Sequence, residues 1–399
     1  MKKYLILTFS LAFHFTVLPA QSDFTLRIDP DNARGGNAMQ VFDSIEFIPL
    51  ETNKQSLFGS IDQMEVTDSF LIILDMNSQS VLLFNRDGSF HKRITSGGAD
   101  KYFFYFSINR QLNQIIINNN FDDNLLVYDF YGKLVSKLSR PESRKLSSFF
   151  DFSNGNVLYN LNRSQKSKDT SFHPFDLAFS KGYNSIFKYL NEYNPRIQNG
   201  NYDQERNAIN FSGEPGSCIF SLPYSYTLYQ LNDTGIIRKY NFIFPLQYSL
   251  PPNFAIDSAY AGKRMQYVRT PENWEKIAAI NSTYKVGDYL LFSVVNHIMR
   301  IDKPKNYLYN LTNNNLISFS RVTGDSTSFY FPILSSALEK VEAVNNNMVF
   351  TSIPSVRLLS LAKNINKEVN YPKSLKELIT TGSKTNNPVI IQFRLKPNL

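Results

Sequence analysis

The chain has 399 residues, a formal net charge of +8, 42% hydrophobic residues and a single cysteine, Cys218. One cysteine excludes an intramolecular disulfide, so a chain of this length must hold itself together by core burial. Basic residues such as His91-Lys92-Arg93, Arg300, Lys303 and Lys305 are dispersed along the chain, which excludes the concentrated basic face of a nucleic-acid binder.

Met1, Lys2 and Lys3 form a positive start, residues 4–17 an apolar stretch, and Leu18-Pro19-Ala20 a small-residue cleavage site before Gln21. The apolar run is shorter than the roughly 20 residues of a membrane-spanning helix, and no later segment approaches that length. The expected organisation is a signal peptide at 1–20 cleaved near Ala20, an N-terminal segment at 21–39, and one domain from 40 to 399. Cys218 lies far from the cleavage site, so the mature chain is not a lipoprotein. It is expected to be periplasmic or secreted, with no transmembrane segment, and at +6 once Lys2 and Lys3 are removed.

Short apolar runs separated by turn residues then follow one another. Residues 44–50 form an isolated strand. Residues 70–75, 81–85 and 90–94 form a three-strand unit, the last two joined by Asp87-Gly88, a pair suited to a tight hairpin. Residues 114–118, 124–129 and 133–138 repeat it, and the turn glycines Gly88 and Gly132 lie 44 residues apart. Further units start at 156, 218, 289 and 347; the fifth is read as 289–293, 298–301 and 307–311, and the sixth ends at 389–395. Repeats of about 40–50 residues with several strands each point to propeller blades. Six starts predict an all-β chain, a single β-propeller with six blades of four antiparallel strands. The strand at 44–50 is expected to close the ring in the last blade, because an open terminal blade leaves unpaired strand edges.

Three stretches resemble the six-bladed β-propeller family common among exported proteins of Bacteroidetes. They are Ile48-Pro49-Leu50-Glu51-Thr52, Phe84-Asn85-Arg86-Asp87-Gly88-Ser89-Phe90, and the ending from Asn386 to Lys396. The segment from Ser96 to Tyr102 departs from that family's Gly-rich stretch ending in Glu-Tyr. The resemblance implies the fold and an exported location, and brings no activity with it.

Catalytic signals are sparse. Beyond the leader the histidines are His91, His173 and His297, with no metal-ligand spacing. Cys218 sits in an apolar strand, where a thiol is inert. No Gly-x-Ser-x-Gly elbow, phosphate loop or calcium loop occurs. The acids near loops, Asp100, Glu205, Glu214 and Glu272, read as surface charge. No catalytic residue, metal or cofactor is predicted.

Two long insertions, 191–210 and 251–280, each follow an outer strand and precede the next inner one, which places both at one end of the ring. Loops on a rigid scaffold are where recognition sits. Trp274, Tyr193, Tyr202, Tyr224, Arg196 and Arg206 are therefore the expected contacts for a glycan, peptide or protein ligand, with Trp274 partly exposed near the channel mouth. The rival reading is an extracytoplasmic glycan hydrolase or lyase with its site at that mouth.

Overall fold

The computed structural model describes residues 22–97, 102–119, 124–139, 146–161, 174–198, 208–296, 305–336 and 338–399. The chain enters through β1 (Ser22–Arg27), β2 (Arg34–Asn37), the single-turn helix α1 (Ala38–Val41) and β3 (Phe42–Pro49). Blade one is β4 (Gln63–Val66), β5 (Phe70–Asp75), β6 (Ser80–Asn85) and β7 (Phe90–Thr95). Blade two is β8 (Phe103–Asn109), β9 (Gln114–Asn119), β10 (Asn124–Asp129) and β11 (Leu134–Ser139). Blade three is β12 (Leu146–Asp151), β13 (Asn156–Leu161), β14 (Phe175–Lys181) and β15 (Ser185–Glu192). Helix α2 (Pro195–Gln198) precedes blade four, which is β16 (Ile209–Phe211), β17 (Cys218–Phe220), β18 (Thr227–Asn232) and β19 (Gly235–Ile243). Helix α3 (Arg264–Val268) precedes blade five, β20 (Ala279–Val286), β21 (Tyr289–Val295), β22 (Asn306–Asn310) and β23 (Leu316–Thr323). Blade six has β24 (Val341–Asn345), β25 (Met348–Ile353), helices α4 (Ser355–Lys363) and α5 (Lys373–Thr381), and β26 (Val389–Leu395).

The fourth strand of blade six is β3, as the sequence predicts. It runs antiparallel to β26 with Phe47 opposite Ile391 and Ile48 opposite Ile390. Successive side chains of a strand point to opposite faces, and here each face meets a different neighbour. Phe47 enters the core that blade six shares with blade five, beside Phe331. Ile48 enters the core shared with blade one, with Leu82 and Phe84. The second strands show the same division: Leu71 and Ile73 pack toward blade six, Ile72 and Leu74 toward blade two. Both faces are covered, so these strands read as continuous apolar runs rather than alternating ones.

Residues 22–37 extend two blades. β1 lies parallel to β19 as a fifth strand of blade four, and β2 lies parallel to β23 as a fifth strand of blade five. Glycine is needed in β2, because a Cβ on Gly35 would stand 2.3 Å from the Arg321 carbonyl oxygen. In blade five the expected strand at 298–301 lies outside the described residues. The run 307–311, read as the last run of the fifth unit, corresponds to the third strand β22, and β23 is the outer one.

Antiparallel alternation gives the ring two unlike ends. At the loop end lie the connections between second and third strands and those from an outer strand to the next inner strand, including α2 to α5. At the turn end lie the short connections between first and second and between third and fourth strands. Among the described residues no helix is long and apolar enough to cross a membrane.

Candidate functional site

The two predicted insertions do meet at the loop end. Arg264 of α3 is fully buried and donates Nε to the Phe254 carbonyl (2.8 Å), Nη2 to Asp257 (2.9 Å) and Nη1 to Ile197 (2.9 Å), tying one insertion to the other. Of the residues expected to contact ligand, Trp274 is 43% exposed, its indole N–H donated to the Arg269 carbonyl at 2.8 Å. Arg196 is exposed. Tyr193 and Tyr224 are instead buried, each 6% exposed. The Tyr224 ring packs edge-on against Phe254 in a small core with Leu250 and Val268, so these two tyrosines serve packing and offer little surface. Tyr202 and Arg206 lie outside the described residues, as do Asp100 and Glu205.

Sequence reading overlooked the turn end. A cavity of about 920 Å³ opens there, lined by turns from blades one, two, three, four and six. Blade two contributes most. Asp129 Oδ1 accepts the N–H groups of Tyr131 (3.0 Å) and Lys133 (2.8 Å), folding the β10–β11 turn and fixing Tyr131 at its tip, 75% exposed. His91 packs between Phe70 (4.8 Å between ring centres) and Tyr131 (6.1 Å), and Phe70 meets Phe130 edge-on. From blade six, Asn346 donates its amide to Asp68 Oδ1 of blade one at 3.0 Å. Asn113, Ser153, Asn346 and Asn347 take φ between 50° and 62°, a left-handed conformation that short polar side chains tolerate better than branched ones.

Deeper in, Arg110 places its guanidinium 4.5 Å from the centre of the Phe211 ring and donates Nη2 to Glu65 at 2.9 Å. Five residues earlier, in β8, the Tyr105 hydroxyl donates to the Ile209 carbonyl (3.0 Å), joining blade two directly to blade four. Tyr105 and Tyr284 are fully enclosed; burial first, and then the Glu65 carboxylate, push both phenols well above their usual range. They stay neutral donors, and this level of the axis is firmly cross-linked.

The acids of the cavity wall are occupied. Asp151 is 3% exposed; its Oδ1 accepts the Ser153 N–H (2.6 Å), and its Oδ2 accepts Asn109 Nδ2 (3.0 Å) and the Tyr183 hydroxyl. Burial raises its pKa despite those bonds. Glu214, beside the cavity, is held by Arg238 (2.6 Å) and Lys285 (2.7 Å). Burial alone would raise its pKa, but Lys285, Gln230 and Arg238 together lower it. Glu272 is exposed at the loop end. Cys218 is fully buried, which pushes its thiol far up and keeps it protonated. Among the described residues no three His, Cys, Asp or Glu side chains gather as a metal-binding set.

One solved structure agrees with the architecture. A Bacteroides fragilis protein described as exported superposes with a TM-score of 0.70 at 15% identity, over 94% of this chain and 100% of that one. A DUF4221-family member from Bacteroides vulgatus gives 0.49 at 14% identity, over 89% and 98%, and a streptogramin B lyase gives 0.43 at 11%, over 90% and 100%. A comparison with curated proteins finds no match. A family match covers residues 25–394, and on it the chain belongs to the DUF4934 family, described as a domain of unknown function.

Proposed function

We propose that this chain is an extracytoplasmic binding propeller whose ligand enters the turn-end cavity. One observation carries the reading. Asp68, Asp129 and Asp151 are each committed to holding a turn or a neighbouring side chain, while aromatic rings, asparagine amides and a few hydroxyls supply most of the other side chains of the wall, with Arg110 paired to Glu65. Such a wall, apolar with a few placed polar groups, is equipment for binding. Glycoside hydrolysis by the usual carboxylate pair needs an acid free to move a proton, and Asp151, the acid of the described lining whose pKa burial raises, already accepts three hydrogen bonds. Export is supported by the leader at 1–20 and by the description of the Bacteroides fragilis relative.

The test is a ligand screen on the protein starting at Gln21, followed by Tyr131→Ala and Trp274→Ala. Loss of capture in Tyr131→Ala with retention in Trp274→Ala is the expected result. The opposite pattern moves recognition to the loop end. Turnover of a captured glycan that disappears in Asp151→Asn replaces the binding reading with the enzymatic one.

A further inference from the structure

Resting on that binding reading, we infer that the turn-end cavity takes an uncharged oligosaccharide, with Tyr131 as the platform for a sugar ring. Three features carry this. The first is the platform. Tyr131 exposes three quarters of its surface at the cavity rim, yet its backbone is fixed by Asp129 and its ring is backed by His91. A rigid exposed aromatic offers a large contact area at low entropic cost, and the C–H face of a pyranose is a flat apolar partner for it.

The second feature is the kind of polar group around the platform. Asn113, Asn345, Asn346 and Asn347 supply amides, and Ser69 and Ser153 hydroxyls. Amides and hydroxyls both donate and accept, which matches sugar hydroxyls that do the same. A site lined by single-sign groups would match phosphate, carboxylate or ammonium instead.

The third feature is charge. Arg110 is the one basic side chain in the described lining, and Glu65 matches it at 2.9 Å. No unmatched cation remains there to receive a uronate, sulfate or phosphate, and the carboxylates of Asp68 and Asp129 repel such groups at the rim. Their Oδ1 atoms are already engaged by Asn346, Tyr131 and Lys133, and the pull of their remaining charge on a cation is what the oligolysine comparator tests. The volume, about 920 Å³, lies near the upper end of small-ligand pockets, about 300–1,000 Å³.

The experiment is calorimetric titration of the protein starting at Gln21 with neutral β-1,4-linked gluco-, xylo- and manno-oligosaccharides. Oligogalacturonate and oligolysine serve as anionic and cationic comparators. At least one neutral oligosaccharide should bind with an affinity insensitive to added salt. Tyr131→Ala should weaken that binding tenfold or more with an unchanged melting temperature, Tyr131→Phe should keep it within about threefold, and Trp274→Ala should leave it unchanged. If no neutral member binds, or if only a charged comparator binds with steep salt dependence, the oligosaccharide assignment is overturned. The cavity itself stands in that case if capture of the charged comparator still depends on Tyr131. Capture that ignores Tyr131→Ala and fails in Trp274→Ala overturns both the assignment and the cavity.

Discussion

Replacing Phe47 by alanine removes a ring that is 3% exposed and lies 5.7 and 5.5 Å from the rings of Phe329 and Phe331, at the seam where β3 closes blade six. A buried Phe→Ala change costs about 3–5 kcal/mol, against about 5–15 kcal/mol for a whole domain. Urea slopes of about 1–3 kcal/mol/M for small proteins rise with size; at about 4 kcal/mol/M the midpoint should fall by about 1 M. The larger perturbation is deletion of residues 40–52. Phe42, Phe47, Ile48 and Leu50 are all at most 4% exposed, and at about 1.5–3 kcal/mol each their burial contributes about 6–12 kcal/mol. That sum consumes the stability of a typical domain before any lost ladder hydrogen bond is counted. The deletion should therefore abolish the cooperative transition, followed by circular dichroism in urea, while Phe47→Ala keeps the transition and shifts it. A Phe47→Ala midpoint within about 0.3 M of wild type at the same slope would refute closure through this strand, as would a deletion that melts like the full chain.

Other changes probe separate parts of the ring. Asp75 is fully buried; burial alone would raise its pKa, but hydrogen bonds from Ser78, Gly59, Asn77 and Ser60 hold it below the ordinary value. Its stabilising contribution is thus present above the unfolded value of about 3.9 and lost as pH falls through the lower folded one. Asp75→Asn should cost about 2–3 kcal/mol at neutral pH, and urea midpoints should show that gap closing toward pH 2. Gly88 has φ +88°, and a Cβ there would stand 2.3 Å from the Pro49 carbonyl oxygen; Gly88→Ala should cost about 1–3 kcal/mol or more, read from the same midpoints. The Cys218 thiol should resist a disulfide-exchange reagent in the native protein and react at once in denaturant; fast native labelling would contradict its burial.

What the sequence revealed depended on how many faces of a strand are covered. β5, β9, β13, β17, β21 and β25 sit between two neighbouring blades, so each of the six units announced itself by its second strand. The inner strands did not. β4 carries Glu65 toward Arg110, β16 is three residues long, and β20 is broken between Asn281 and Tyr284. Strand β2, Arg-Gly-Gly-Asn, has no side-chain pattern to read. The insertions were legible because both are long, the first polar with tyrosines and the second carrying Trp274. The burial of Tyr193 and Tyr224 was not, since only packing separates them from Trp274. The cavity was hidden for a different reason: Asp68, Tyr131, Ser153, Gly213 and Asn346 are far apart in the chain and meet only because every blade turns at the same end. The one local signal was Tyr131, an aromatic residue in the tip of a tight hairpin turn.

The two ends of the ring divide stability and contact differently, and this bears on where recognition is cheapest. At the loop end Arg264 spends its guanidinium on three carbonyls to hold two insertions in place, and the Tyr224 core beneath does the same with apolar surface. At the turn end, connections of a few residues fix the backbone by their own length, and side chains such as Asp129 and Asp68 complete the job. A ligand arriving there meets groups whose conformational entropy was lost when the blades folded, so less of its contact energy is consumed in ordering the site. The cross-axis bond from Tyr105 to Ile209 extends that rigidity beneath the cavity. Breaking it with Tyr105→Phe should leave the fold intact yet weaken any ligand held above Arg110, because the amide and aromatic positions would lose a common reference. Unchanged affinity in that variant would show that each turn holds its own geometry without the axis.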